Sequence, residues 1–320
     1  MDRSPIGVVE HVGLVMRDLD AGRRLFHEQL RLPIAEYPGS PDGEAFALKA
    51  GDTTVRVVSM DSSEARRGRP GLSHVAFKVP SLGQVEEKLK KAGIGIAPDA
   101  GGGSGGRKAL WSEPATTLGI PLQFVEAVVD LRFTASDRPP LIERVDHLGI
   151  ACRDSRRAQD VYVDGLGWPL ESTQTDSEFL IPIEVTSNDK YGATSHTRAP
   201  IPAVGAGLIA LFVTVGDFDL EIMQPLSAAT IRVPLGTIPG SVGQDQGAIA
   251  QALDKRGEGL LHIGFRTPDM RNAIKTLSDQ GIRMIDPISR PGARNSQIAF
   301  MDRRTTEGIL LHFVERKAVD

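Results

Sequence analysis

Cysteine is almost absent from this chain of 320 residues. Cys152 stands alone, so no disulfide can close within the chain, and a reducing compartment such as the cytoplasm is the expected setting. A basic excess is also lacking. Lys and Arg number 37 against 41 Asp and Glu, leaving a net charge of −4. That balance speaks against nucleic acid or an anionic membrane as partner, since either favours a basic face. No stretch approaches the roughly 20 apolar residues of a membrane span. The opening MDRSPIGVVEHVG has no long apolar run and no cleavage signature. A true phosphate loop is missing too. GGGSGGRK, Gly101 to Lys108, lacks the Gly-Lys-Ser/Thr ending between strand and helix, and reads as a hairpin-type connection.

What is present is an ordinary globular composition, 40% hydrophobic and 24% charged, long enough for about two domains. The chain repeats itself. VEHVGLVMRD from Val9 is answered by VDHLGIACRD from Val145, an offset of 136 residues. GLSHVAFKVP from Gly71 is answered by GLLHIGFRTP from Gly259, and GIPLQFVEA from Gly119 by GILLHFVER from Gly308. Each opening strand leads into a segment of helical periodicity, such as Leu19 to Leu30 with an apolar stripe of Leu19, Leu25, Phe26 and Leu30. Four similar β-α-β-β-β units in two domains are therefore expected. The Asp-Arg-Pro-Pro signal places the boundary: an N-terminal domain over 1–130, a linker over 131–144 and a C-terminal domain over 145–320. The second half is longer. Its excess lies mainly between Val185 and Leu208 and around Ser227 to Gly247, in Gly-, Pro-, Thr- and Ser-rich stretches that read as loops or a lid.

Seven histidines punctuate the chain: His11, His27, His74, His147, His196, His262 and His312. His11, His74, His147 and His262 hold the same place in the four opening strands. Strand alternation puts His147 on a face with Val145, Gly149 and Ala151, opposite Leu148 and Ile150. His262 shares its face with Leu260 and Gly264, opposite Leu261, Ile263 and Phe265. His312 lies with Leu310 and Val314. In FDLEIMQPL, Glu221 shares a face with Asp219 and Met223. Imidazoles and a carboxylate on separate strands are what a divalent metal site requires. His27 and His196 read as structural.

These residues carry a resemblance. The chain is similar to the vicinal oxygen chelate superfamily, which includes glyoxalase I, methylmalonyl-CoA epimerase, extradiol dioxygenases and 4-hydroxyphenylpyruvate dioxygenase. The likeness covers nearly the whole chain and is sharpest to the epimerase branch in IAQALDKRGEGLLHIGFRTPDM and NSQIAFMDRRTTEGILLHFVE. It implies an α+β fold: four βαβββ units paired into two domains, each a curved, half-barrel mixed sheet with helices on the outer face. It implies one divalent ion per chain, with Mn, Co, Zn, Ni and Fe(II) all open, held by His147, Glu221, His262 and His312. The last position is usually Glu in the epimerases. The same alignment gives His11, Arg56, His74 and Gln123 in the first half. Arginine cannot coordinate a cation, so that half is expected to be metal-free.

In such enzymes the ion stabilises an enolate or related oxyanion, and a base handles the carbon-bound proton. Glu184 and Glu178, taken to share strand parity in EFLIPIEV, are the candidates for that base. The favoured activity is a metal-dependent isomerase, epimerase or lyase acting on a small oxygen-chelating substrate. An Fe(II) dioxygenase is the first alternative and a small-molecule binding or resistance protein the second. The expected partners are a small molecule and, at most, a second copy in a homodimer.

Overall fold

A computed structural model describes residues 6, 8–38, 45–62, 65, 69–98, 107–180, 183–189, 192–197, 203–226 and 242–316; within 178–206, and at Val242, it describes the backbone alone. The strands are β1 (Val8–Met16), β2 (Ile34–Glu36), β3 (Ala45–Ala50), β4 (Thr53–Ser59), β5 (Gly71–Lys78), β6 (Ala109–Trp111) and β7 (Leu122–Val125) in the first half. The second half holds β8 (Arg144–Ala151), β9 (Leu170–Leu180), β10 (Ile183–Asp189), β11 (Gly192–Thr197), β12 (Ala203–Val215), β13 (Phe218–Pro225), β14 (Gly259–Arg266), β15 (Arg290–Gly292), β16 (Ser296–Phe300) and β17 (Leu311–Arg316). The helices are α1 (Leu19–Arg23), α2 (Leu82–Lys91), α3 (Ser155–Gln159), α4 (Val242–Arg256) and α5 (Met270–Asp279).

The fold is α+β, with two mixed sheets, one curled into a half-barrel. The first runs β2-β3-β4-β1-β5-β7-β6 and the second β15-β16-β17-β14-β8-β13-β12-β9. Their centres follow one plan. β1 pairs antiparallel with β5 and parallel with β4, and β5 pairs parallel with β7. β8 pairs antiparallel with β14 and parallel with β13, and β14 pairs parallel with β17. The four strand-to-helix turns also repeat. Asp18, Ser81, Asp154 and Asp269 each keep an extended backbone and accept a backbone N–H from the first helical turn, which starts the helix.

Beyond α1 and α3 the expected helices change pitch. Residues Arg24–Gln29 and Asp160–Gly165 form π turns, in which the Leu30 N–H donates to the Leu25 carbonyl and that of Leu166 to Val161. The wider pitch carries Leu25, Phe26 and Tyr162 into the main core, which also takes Leu148 and Ile150 of β8, Leu220 and Ile222 of β13, and Val85, Leu89 and Leu277 of the helices. Trp168 packs 5.2 Å from Phe77 and donates its indole N–H to the Ile6 carbonyl at 2.8 Å, tying the halves together.

Helix α4 departs from the expected outer layer. Its Ile249 and Leu253 pack with Phe212 and Met223 on the opposite face of the second sheet. The excess of the second half is likewise not all loop. β10 and β11 form a separate antiparallel hairpin, and Val242–Arg256 is helical. Residues 101–106 of the glycine-rich stretch and 227–241 lie outside the described residues. No helix among the described residues is long and apolar enough to cross a membrane.

Candidate metal centre

Four side chains from four strands of the second sheet gather around His147 of β8: Glu221 of β13, His262 of β14 and His312 of β17 approach it, each from its own strand. All are buried. His147 Nε2 lies 3.2 Å from His262 Nε2, 3.0 Å from His312 Nε2 and 3.1 Å from Glu221 Oε2. His262 Nε2 is 3.4 Å from the same Glu221 oxygen. Ligands about 2.1 Å from a shared ion stand about 3.0–3.4 Å apart; the three imidazoles form a cluster that could hold a metal ion, and Glu221 stands at such distances from His147 and His262.

The register explains the convergence. Gly149 of β8 lies opposite Glu221 on one side and His262 on the other, and Gly264 of β14 lies opposite His147 and His312. The imidazoles lie over these glycines. A Cβ on Gly149 would stand 2.1 Å from His262 Cε1, and one on Gly264 would stand 2.5 Å from His312 Nε2 and 2.6 Å from His147 Cε1. Glycine at both positions is a requirement of space.

Strict alternation fails at two points, and both matter. Leu260 pairs with Ile150 but His262 pairs with Gly149, so Leu261 is an extra residue in β14. Leu260 therefore joins the main core, while Leu261 packs on the site face. This reverses the expected faces of these two leucines. Opposite Gly264 and Phe265, Asp146 is the extra residue of β8, and Val145 turns into the core instead of sharing a face with His147. A bulge places two adjacent residues toward one side. Asp146 consequently accepts a hydrogen bond from His147 Nδ1 at 3.0 Å. It is held in turn by Arg266 Nη2 at 2.8 Å and Arg316 Nη2 at 2.7 Å. Simple parity points Asp146 away from His147, and so conceals it.

Residues 146–300 match the family model described as glyoxalase/bleomycin resistance protein/dioxygenase superfamily. This stretch is similar to the glyoxalase superfamily. Over 176 residues, 55% of this chain and 94% of the relative, the chain is 26% identical to the uncharacterised protein YqjC of Bacillus subtilis. Over 118 residues, 37% of this chain, it is 25% identical to the mitochondrial methylmalonyl-CoA epimerase of Dictyostelium discoideum, spanning 61% of that protein. The two-domain fold matches a mutant of 4-hydroxymandelate synthase from Streptomyces coelicolor with a TM-score of 0.60 at 14% identity, covering 99% of this chain and 94% of that one.

In the second half the metal-free electrostatics are distinctive. Burial opposes charge on His147, but the Glu221 and Asp146 carboxylates outweigh it and raise its pKa to about 9. Burial likewise opposes charge on Glu221, yet His147 and His262 hold its carboxyl well below the usual range. Burial lowers the pKa of His262 and His312, the neighbouring imidazoles adding to the effect and Glu221 opposing it.

The first half superposes this register with other chemistry. His11, Arg56, His74 and Gln123 hold the pairing positions of His147, Glu221, His262 and His312. Arg56 stacks its guanidinium over Tyr37 at 4.2 Å. Ala76 fills the position of Gly264. His11 Nε2 and His74 Nε2 contact each other at 2.9 Å. His27 bonds the Leu32 carbonyl at 2.8 Å, while the His196 side chain lies outside the described residues.

Above the four donors opens a cavity of about 380 Å³ with an apolar wall that includes Phe212, Met223, Ile249 and Phe300. Asp176 and Asp245 also line it, and neither is singled out by sequence patterns. Asp245 is tied by both oxygens to Arg290, at 2.8 and 3.0 Å. Asp176 accepts the Gln174 amide at 2.7 Å. Glu178 and Glu184 do not share a strand. Glu178 is in β9 opposite Ala206, and Glu184 is in β10 opposite His196. Their side chains lie outside the described residues.

Proposed function

We propose that the chain is a divalent-metal-dependent isomerase, epimerase or lyase acting on a small substrate that chelates through two oxygens. The observation that carries this reading is the convergence of four protein donors, His147, Glu221, His262 and His312, beneath one cavity. A six-coordinate ion held by four side chains keeps two positions, enough for the two oxygens of a chelating substrate. Oxygen-activating iron sites built on a facial triad keep three, so that O2 has a place beside the substrate. The extra protein donor therefore favours chemistry without O2.

When bound, the ion supplies Lewis-acid stabilisation of negative charge on the substrate oxygens. The chain does the rest. Asp146 orients His147, the apolar wall excludes water, and a carboxylate at the cavity handles the proton. Glu184 and Glu178 are candidates for that proton, joined by Asp176, whose carboxylate faces the cavity. Residues 1–130 serve as a metal-free scaffold, because Arg56 and Ala76 replace a ligand and its clearance.

The test is anaerobic. Protein loaded with Mn(II) or Co(II) is incubated under argon in D2O with a panel of small 2-substituted carbonyl acids and thioesters. Deuterium enters the carbon acid without O2, and Glu184→Gln, Glu178→Gln and Asp176→Asn identify the base by its loss. Turnover that requires O2 and consumes it in proportion to product would overturn the reading.

A further inference from the structure

We propose that Asp146 is a positioning residue for the metal centre: it fixes His147 in one tautomer, Nδ1–H donated to the carboxylate and the Nε2 lone pair turned to the other donors, and thereby sets the affinity for the ion. The inference rests on the metal-site reading above.

Three observations support it. The bulge in β8 is what brings Asp146 to the face of its neighbour His147, and it costs a ladder position at the centre of the sheet. The carboxylate is itself immobilised. Arg266 donates Nε and Nη2 to Oδ2, and Arg316 donates Nε to Oδ2 and Nη2 to Oδ1, at 2.7–3.0 Å. Asp146 is 1% exposed, so solvent does not compete for it. Lastly, the His ligands differ. His147 Nδ1 has this anionic acceptor, whereas His312 Nδ1 has no hydrogen-bond partner among the described residues. A carboxylate on the outer nitrogen makes an imidazole a stronger ligand and locks its ring orientation. His147 is also the donor in closest contact with the other three, so its orientation governs the whole set.

The same construction recurs in the first half, where Glu10 contacts His11 Nδ1 beside a bulge and Arg107 holds Glu10 at 3.1 Å. The pair is therefore part of the fold in both halves, and Asp146 also bridges β8 to Arg266 and Arg316. The experiment must separate positioning from bracing.

Zn(II) affinity is measured on the full chain by competition with a chromophoric chelator, for wild type, Asp146→Asn and Arg266→Gln, alongside melting of the metal-free proteins. Asp146→Asn is expected to weaken Zn(II) binding about 10–100-fold. Arg266→Gln, which loosens the bracing but leaves the carboxylate on His147, is expected to change it less than about threefold. In the Zn(II)-loaded wild type, nitrogen-15 NMR is expected to show a slowly exchanging proton on His147 Nδ1 and coordination through Nε2. Wild-type affinity in Asp146→Asn, or coordination through Nδ1, overturns the role of Asp146. The NMR measurement decides even if the variant does not fold. Failure of the wild type to bind any divalent ion instead overturns the metal-site reading itself.

Discussion

Replacing Gly264 with Ala tests the geometry of the centre with a single methyl group. The backbone at Gly264 is not in the left-handed region, so alanine introduces no conformational strain there. The problem is space. The new Cβ would stand 2.5 Å from His312 Nε2 and 2.6 Å from His147 Cε1. Non-bonded heavy atoms rest about 3.5–4.0 Å apart, so the two rings must retreat by about 1 Å. Overpacking of this kind costs about 1–3 kcal/mol of stability. The effect on metal binding is larger in consequence, because ligand distances tolerate only about 0.2 Å. Gly264→Ala is therefore expected to weaken divalent-metal affinity by more than the roughly 10–100-fold lost when an outer-shell partner is removed. Chelator competition and melting of the metal-free protein read the two effects separately. Gly83→Ala in α2 is the control, since its Cβ meets nothing closer than Ser81 Oγ at 3.7 Å. Wild-type metal affinity in Gly264→Ala would refute the argument from clearance.

Further predictions follow from the electrostatics. His147 has its pKa raised from 6.5 to about 9 in the metal-free protein. A raised pKa contributes stability that is fully present below 6.5 and is lost as pH climbs through about 9. Metal-free melting temperature should therefore fall across that window, and pH-independent melting would contradict it. Metal binding runs the other way: the ion competes with the His147 proton, so affinity should drop roughly tenfold per unit as pH falls below about 9, as read by competition titrations. Glu221→Gln removes the buried counter-charge of His147 and should lower both His147 basicity and metal affinity; an unchanged NMR titration of His147 would count against that coupling. Burial pushes the Cys152 thiol up to about 12, so thiol reagents should label the chain only after unfolding.

Much of the fold was legible because it is written twice. The paired openings around His11 and His147, and around His74 and His262, announce repeated strands. Strand parity and the family resemblance add Glu221 and His312, and the sheet brings both, with His262, within 3.0–3.2 Å of His147. What escaped depends on pairing between strands, which no local pattern encodes. The bulges at Leu261 and Asp146 arise where β14 and β8 fit each other out of step, so alternation misplaces Leu260, Leu261 and Val145 and hides Asp146. One signal was available: a glycine two residues after His11, His147 and His262 marks where a neighbouring imidazole needs clearance, and Ala76 breaks that pattern after His74. The placement of α4 over the cavity face, and the division of Glu178 and Glu184 between β9 and β10, likewise follow from long-range packing.

The central claim is one four-donor metal centre in the second half and none in the first. Elemental analysis of the purified chain, reloaded with a single divalent ion and freed of excess, measures it directly. The account predicts about one ion per chain in the wild type and in His11→Ala, and almost none in His147→Ala or His262→Ala. Two ions per wild-type chain, or a full complement retained by His147→Ala, would contradict it.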